Sequence, residues 1–419
     1  MKVILILVDE ESEICFNKEH EIWRDNLPGR KILQERGIIF PRHYTNTTAC
    51  SPSRATLYSG RYPKPGLNNE NYHDVTWVNG IASDEFPALK GENLGSILRK
   101  HGWQSKYIGK WHLCPHPTKE KLEEYGWDTQ YWSGKEPHGP DLDLSGIQVD
   151  PETFQSAKTA IREMQDKDFL AINFVQPHDI NLYIQLKALG LLPAEVSESK
   201  YPSVLCEADS EIGEFPLLDQ TWKRYQDNEI FQPKEITESY FDLEEYRRFY
   251  LWCCETVDGY VAELMKMIDK NTIVIFTSDH GSQYGTRGGL LGKWLTVNER
   301  VMRVPMIMVI PGLKPNDKAV VKYPYLSSHV DILPTLLGRL EISHKLPGVN
   351  LLTEERKEVF FVSYDNPTRG QNQLRLFERL RGGDPYPYKE IEFFGISCVV
   401  NSQGEKKVRL LREEKQSKL

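Results

Sequence analysis

Four short, nearly unbroken apolar runs, at residues 3–8, 169–175, 273–276 and 304–310, most limit what this chain can fold into. A strand with one wet face alternates apolar and polar residues. Runs without that alternation are buried on both faces, as in parallel strands covered by helices. Residues 93–101, 151–165, 243–268 and 330–340 instead carry amphipathic helical spacing. Such strands interspersed with such helices predict an α/β architecture, a large mixed, mostly parallel sheet sandwiched by helices. After residue 355 the pattern changes to runs at 359–362, 396–400 and 408–411. Ser402, Gln403 and Gly404 separate the last two, which predicts a hairpin and a small C-terminal antiparallel sheet domain. The expected organisation is a main α/β domain over residues 1–355 and a small C-terminal unit over 356–419. Residues 180–241, polar and punctuated by proline, are expected to form an insertion bordering the site.

Composition narrows the partners. A net charge of -8 and a pI near 5.9 disfavour nucleic acid or an anionic membrane, which need a broad basic surface. Residues 406–418 are basic but interleaved with glutamates, as in a solvated tail. The first apolar run is too short for the core of a signal peptide, and no run is long enough to span a bilayer. A chain starting at Met1 is therefore expected to be cytoplasmic. Its seven cysteines, an odd number, show no paired CxxC spacing, which fits a reduced compartment rather than a disulfide framework or a structural zinc site.

Polar residues cluster where the predicted strands end. Asp9 and Glu10 follow the first; Lys110 and His112 follow residues 106–108. Gln176, Pro177, His178 and Asp179 follow the third, and Ser278, Asp279, His280 and Gly281 the fourth. In open α/β sheets ligands bind beyond the carboxyl ends of the strands, so these side chains should converge on one metal-assisted hydrolytic site. Cys50 precedes a predicted helix that Ser51 would cap and Pro52 would open. That end of a helix favours anions and a thiolate, although a lone cysteine is more often inert packing. Two other patterns do not hold up. Residues 288–293 lack the first glycine of a phosphate loop, and His112, Cys114 and His116 lack a fourth zinc ligand. The Cys253-Cys254 pair reads as helix packing.

In context, Cys50-Ser51-Pro52-Ser53-Arg54, followed by Leu57 and Gly60-Arg61, resembles the site at which a sulfatase's cysteine is oxidised to formylglycine. Over most of its length the chain resembles the sulfatase family, within the alkaline-phosphatase-like superfamily. The family's order and spacing recur in the Asp9 strand end, Gly37-Ile38-Ile39-Phe40, Gly109-Lys110-Trp111-His112 and Pro177-His178. They continue through Ser278-Asp279-His280-Gly281, Gly292-Lys293-Trp294, Arg303-Val304-Pro305 and Asp331-Ile332-Leu333-Pro334-Thr335. The resemblance implies the sulfatase fold, with residues 1–355 as the catalytic domain.

By the same resemblance, Asp9, Glu10, Asp279 and His280, with the modified Cys50, bind one divalent cation. Oxygen ligands favour Ca²⁺, and the imidazole admits Mn²⁺, Mg²⁺ or Zn²⁺. Glu10 departs from the Asp, Asn or Gln more usual in relatives and could stand beside the ligands; His280 is Asn in many sulfatases. One hydroxyl of the hydrated formylglycine attacks sulfur, and proton loss from the other later expels sulfate. The resemblance assigns Arg54 to holding the diol and the metal ligands, and Lys110 and His112 to polarising the diol and sulfate oxygens. His178 protonates the leaving alcohol, and Lys293 binds a sulfate oxygen. The implied activity is hydrolysis of a small-molecule sulfate ester after activation by a formylglycine-generating maturase. A phosphonate monoester or phosphodiester hydrolase could use the same apparatus. A catalytically silent binding protein is disfavoured, because Cys50, Arg54, His112, His178, Asp279 and Lys293 occur together.

Overall fold

The computed structural model describes residues 1–13, 27–62, 92–114, 117–135, 142–197, 241–284, 292–293, 296–313, 321–364 and 395–411. In chain order the strands are β1 (Lys2–Asp9), β2 (Ile38–Ile39), β3 (His43–Tyr44), β4 (Thr47–Thr48), β5 (Gln104–Gly109), β6 (Asp168–Pro177) and β7 (Thr272–Ser278). They continue with β8 (Met306–Val309), β9 (Val321–Lys322), β10 (Ser327–Ser328), β11 (Glu358–Tyr364), β12 (Gly395–Asn401) and β13 (Lys406–Leu411). The main sheet has the order β5-β6-β1-β7-β8-β2-β9. Strands β5, β6, β1 and β7 run parallel, with Val3 opposite Phe169 on one side and Ile273 on the other.

The unbroken apolar runs are explained by burial on both faces. Val3, Leu5 and Leu7 pack into one core with residues of the Cys50–Ser59, Leu94–Lys100 and His329–Arg339 helices. Ile4, Ile6 and Val8 pack into another beneath the Gly146–Glu163 and Leu243–Met267 helices. The run at 304–310 is a correction: β8 is antiparallel to β7. Burial on both faces makes a strand continuously apolar whatever its direction, so the pattern does not report direction.

Two helix starts also differ from expectation. The helix expected from residue 151 begins at Gly146, with Pro151 inside it. Its first amides, Gly146 N–H and Ile147 N–H, donate to the Asp179 carboxylate at 2.8 Å each, a distant cap that no local spacing reveals. The helix at Cys50 is capped by Ala49, not Ser51. Its first bond runs from Ser53 N–H to the Ala49 carbonyl (3.1 Å), and Cys50 itself is helical. Pro52 is tolerated because amides in the first turn have no partner within the helix.

The expected hairpin is present as β12–β13, pairing Val400 with Lys406. Strand β11 pairs antiparallel with β12 and parallel with β4, so the small sheet borrows its fourth strand from just before Cys50. A buried ion pair between Arg356 and Asp331 fastens the start of β11 to the His329–Arg339 helix. Of the expected insertion, residues through 197 are described. They form a short 3-10 turn (His178–Leu182) and the Tyr183–Ala188 and Ala194–Ser197 helices. Residues 198–240, Cys15, Cys206, Pro115, His116, 285–291, Trp294 and the tail beyond 411 lie outside the described residues. Among the described residues, no helix is long and apolar enough to cross a membrane.

Candidate active site

The carboxyl ends of β1, β5, β6 and β7 and the start of the Cys50–Ser59 helix meet at one point. The register of β1 against β6 shifts between Leu7, opposite Asn173, and Asp9, opposite Pro177, so the extra residues lie on β6, an irregularity of the kind that re-aims side chains beside active sites. Glu10 follows with a φ of 73°, uncommon outside glycine, and its N–H donates to Asp279 Oδ1 at 3.1 Å. At the end of β5, Gly109 has a φ of 85°, and a Cβ there would fall 1.9 Å from the Asn173 carbonyl oxygen. Glycine is therefore needed where the chain turns to present Lys110.

Arg54 organises the centre. Fully buried, it donates from Nε to Asp279 Oδ2 (2.9 Å) and from one terminal nitrogen to Asp9 Oδ2 (2.9 Å). The other terminal nitrogen donates to the Lys110 carbonyl (2.9 Å) and Asn173 Oδ1 (3.3 Å). One rigid guanidinium thus fixes two carboxylates from separate strands, a fork that lysine could not supply. Asn173 Oδ1 also accepts from the Tyr58 hydroxyl at 2.7 Å. Sequence reasoning passed over Asn173, whose signal was a lone amide within an apolar strand run.

Cys50 is encircled. Its Sγ lies 3.6 Å from Asp9 Oδ1, 3.2 Å from His280 Nε2 and 3.5 Å from Lys293 Nζ. His280 Nδ1 is 2.9 Å from the Gly281 carbonyl, which can only accept, so Nδ1 carries a proton and Nε2 is the nitrogen that faces the sulfur. Lys110 Nζ sits 2.8 Å from Asp9 Oδ2, and Lys293 Nζ donates to Glu10 Oε2 at 2.6 Å. His178, partly buried at the end of β6, offers a nitrogen within 4.8 Å of oxygens of Asp9 and Glu10. His112 lies two residues beyond Lys110, partly exposed, with a φ of 54°. The neighbouring Asp179 turns away to cap its helix, so of that pair only His178 belongs to the site.

Burial works against every charge here, and the neighbours decide the outcome. Asp9 stays well below the usual carboxylate range despite burial, because Lys110, His178, Arg54 and His280 outweigh it. Burial and the Asp9 charge push Asp279 up. Burial opposes the His280 charge, but Asp279 and Cys50 raise that group to about 9. Burial would also lower Lys293, yet Cys50, Glu10 and Asp9 hold it above its ordinary value. His178 is pushed well below its ordinary value by burial and by the Lys110 and Lys293 charges.

A divalent cation fits these residues. Ligand atoms of Asp9, Cys50, Asp279 and His280 lie within 4.8 Å of one another, and all four residues are buried. Glu10, whose ligand atom groups with those of Asp9 and His178, has a buried Oε1 with no hydrogen-bond partner among the described residues, a costly state for a carboxylate that a cation would relieve. Behind the site His43 and His329 stack, with His43 Nε2 3.2 Å from His329 Nδ1. His329 Nε2 donates to the Ser278 carbonyl at 3.0 Å. Burial holds both rings below the ordinary histidine range, His329 at about 4, so this pair supports the β7 end as neutral imidazoles.

Comparison with known proteins names the class to which this fold belongs. A family model described as Sulfatase matches residues 3–342, and the chain belongs to that family. It is 26% identical over 372 residues to the uncharacterized sulfatase YidJ of Escherichia coli (strain K12), covering 80% of this chain and 67% of that one. It is 24% identical over 365 residues to arylsulfatase K of Gallus gallus, covering 78% and 61%. The chain thus spans about two thirds of the length of these relatives. Its fold is also that of the phosphonate monoester hydrolase of Agrobacterium radiobacter, with a TM-score of 0.66 at 19% identity, covering 98% of this chain and 87% of that one.

Proposed function

We propose that the chain is a sulfuric ester hydrolase that cleaves a small-molecule sulfate monoester with a nucleophile derived from Cys50. The observation that carries this reading is the ring of Asp9, His280 and Lys293 around the Cys50 sulfur, with Arg54 clamping Asp9 to Asp279. Formylglycine, made from Cys50 by a maturase, would supply a hydrated aldehyde whose second hydroxyl gives the sulfate ester an exit that serine lacks. Asp9, Asp279, His280 and Glu10 would hold a divalent cation, Ca²⁺ foremost and Mn²⁺, Mg²⁺ or Zn²⁺ as alternatives, which supplies Lewis-acid polarisation when bound.

The remaining steps rest on side chains. Arg54 keeps both carboxylates oriented through catalysis. Lys293, already charged and 3.5 Å from Sγ, is positioned to pair with a sulfate oxygen as negative charge develops there. Lys110 neutralises Asp9 and, with His112, polarises the reacting group at position 50. His178 would carry the proton for the departing oxygen; burial, then the Lys110 and Lys293 charges, lower its pKa, and an approaching anionic ester offsets the charges. Arg54, Lys110 and Lys293 balance the charges of Asp9, Glu10 and Asp279, so a divalent cation leaves an excess suited to a monoanionic tetrahedral ester.

Phosphonate monoesters and phosphate diesters are also monoanionic, and the Agrobacterium radiobacter neighbour keeps that second reading in play. One purified preparation should be compared on an aryl sulfate, an aryl phosphonate monoester and an aryl phosphate diester with a common leaving group. The expected kcat/KM is highest for the sulfate, by at least about tenfold. A phosphonate or diester matching or exceeding the sulfate would move the assignment to the second reading.

A further inference from the structure

The geometry points to Asn181 as a positioning residue that fixes which oxygen of Glu10 is left for the cation. This rests on the metal-site reading above and adds a residue that no motif indicates. The two Glu10 oxygens are treated differently by the protein. Oε2 accepts from Lys293 Nζ at 2.6 Å and from Asn181 Nδ2 at 2.7 Å, whereas Oε1, also buried, accepts from none of the described residues. Ligand atoms of Asp9, Glu10 and His178 gather within 4.8 Å of one another.

Two donors on one oxygen select a rotamer. A glutamate side chain has three torsions to fix, one more than an aspartate at the same position, and a flexible lysine alone anchors it loosely. The Asn181 amide is itself anchored, because the same nitrogen donates to the His178 carbonyl at 3.0 Å. That bond closes the 3-10 turn His178–Leu182 over the end of β6, so the turn that presents His178 also holds Glu10. Asn181 is solvent-exposed and absent from the hydrophobic core. Its role is therefore separable from folding.

The test uses Asn181→Leu, close in shape but unable to donate, and Asn181→Gln, which keeps an amide donor. Affinity for Ca²⁺ alone, and for Mn²⁺ alone in a parallel titration, is read by calorimetry on chelator-treated protein. Thermal unfolding is recorded with and without each ion. Asn181→Leu should weaken binding about 5- to 10-fold, the scale of one lost hydrogen bond to a charged group. The Tm without metal should stay near wild type, while the upward shift on adding metal shrinks. Asn181→Gln should recover most of the loss. In a Glu10→Ala background Asn181→Leu should have no further effect, since the two residues then no longer share an interaction.

Wild-type protein that binds an ion, with Asn181→Leu within twofold of it, overturns this inference alone. An Asn181→Leu effect that persists in Glu10→Ala also overturns it, because the residue would then act by another route. Wild-type protein that binds neither ion overturns the metal-site reading, and this inference with it.

Discussion

Replacing Asp279 with alanine is expected to remove the bound cation and lower kcat/KM by at least about 10³-fold. The carboxylate does more than offer a ligand. It receives Arg54 Nε at 2.9 Å, the Glu10 N–H at 3.1 Å and the His280 N–H at 2.8 Å, all in a fully buried setting. Deleting it strips Arg54 of one of its two anionic partners, a loss worth about 3–5 kcal/mol of stability when the charge remains buried. Asp279→Asn keeps an amide oxygen to accept from the backbone while the charge is gone. That variant should bind metal more weakly than wild type but lose less of it than Asp279→Ala, since an amide oxygen can still coordinate. Glu10→Gln should be milder, because an amide oxygen can coordinate. Metal content, kcat/KM and thermal unfolding are measured together. An Asp279→Ala enzyme without metal yet fully active would refute the assignment.

His178→Ala is expected to discriminate between leaving groups. A nitrophenolate departs unaided, whereas a sugar or alkyl alkoxide must be protonated as the bond breaks. General-acid help is worth about 10² to 10⁴ in rate. The variant should keep much of its activity on an activated aryl sulfate and lose most of it on an alkyl or sugar sulfate. The position suits that role, since His178 lies at the end of β6, partly open, among Lys110, Lys293 and Asp9. A histidine serving only to pack against β6 would depress both substrates alike and lower the Tm. Equal losses with a destabilised fold would therefore remove His178 from the acid role.

The strands that form the parallel core were legible because each is apolar on both faces, and their polar ends marked the site. Asp9, Cys50, Asp279 and His280 do converge, from positions as far apart in the chain as β1 and β7. What stayed illegible depends on distant partners. Asp179 looked like a companion of His178 but spends its carboxylate on the amides of Gly146 and Ile147. Glu11, next to Asp9 and Glu10, pairs with Arg30, which also reaches Asp258, so the third acid of that run is structural. His43 and His329 lie far apart in sequence, and only the pairing of β3 with β10 brings their rings together. Strand direction was equally hidden, as β8 shows, because burial leaves the same pattern in either orientation.

Peptide mass spectrometry of Cys50 in enzyme from a maturase-competent host tests the central claim most directly. The account predicts an aldehyde in place of the thiol, in a fraction of molecules that tracks specific activity across preparations. Cys50→Ala should have neither aldehyde nor turnover. A preparation with an intact Cys50 thiol and full activity on an aryl sulfate would contradict the account.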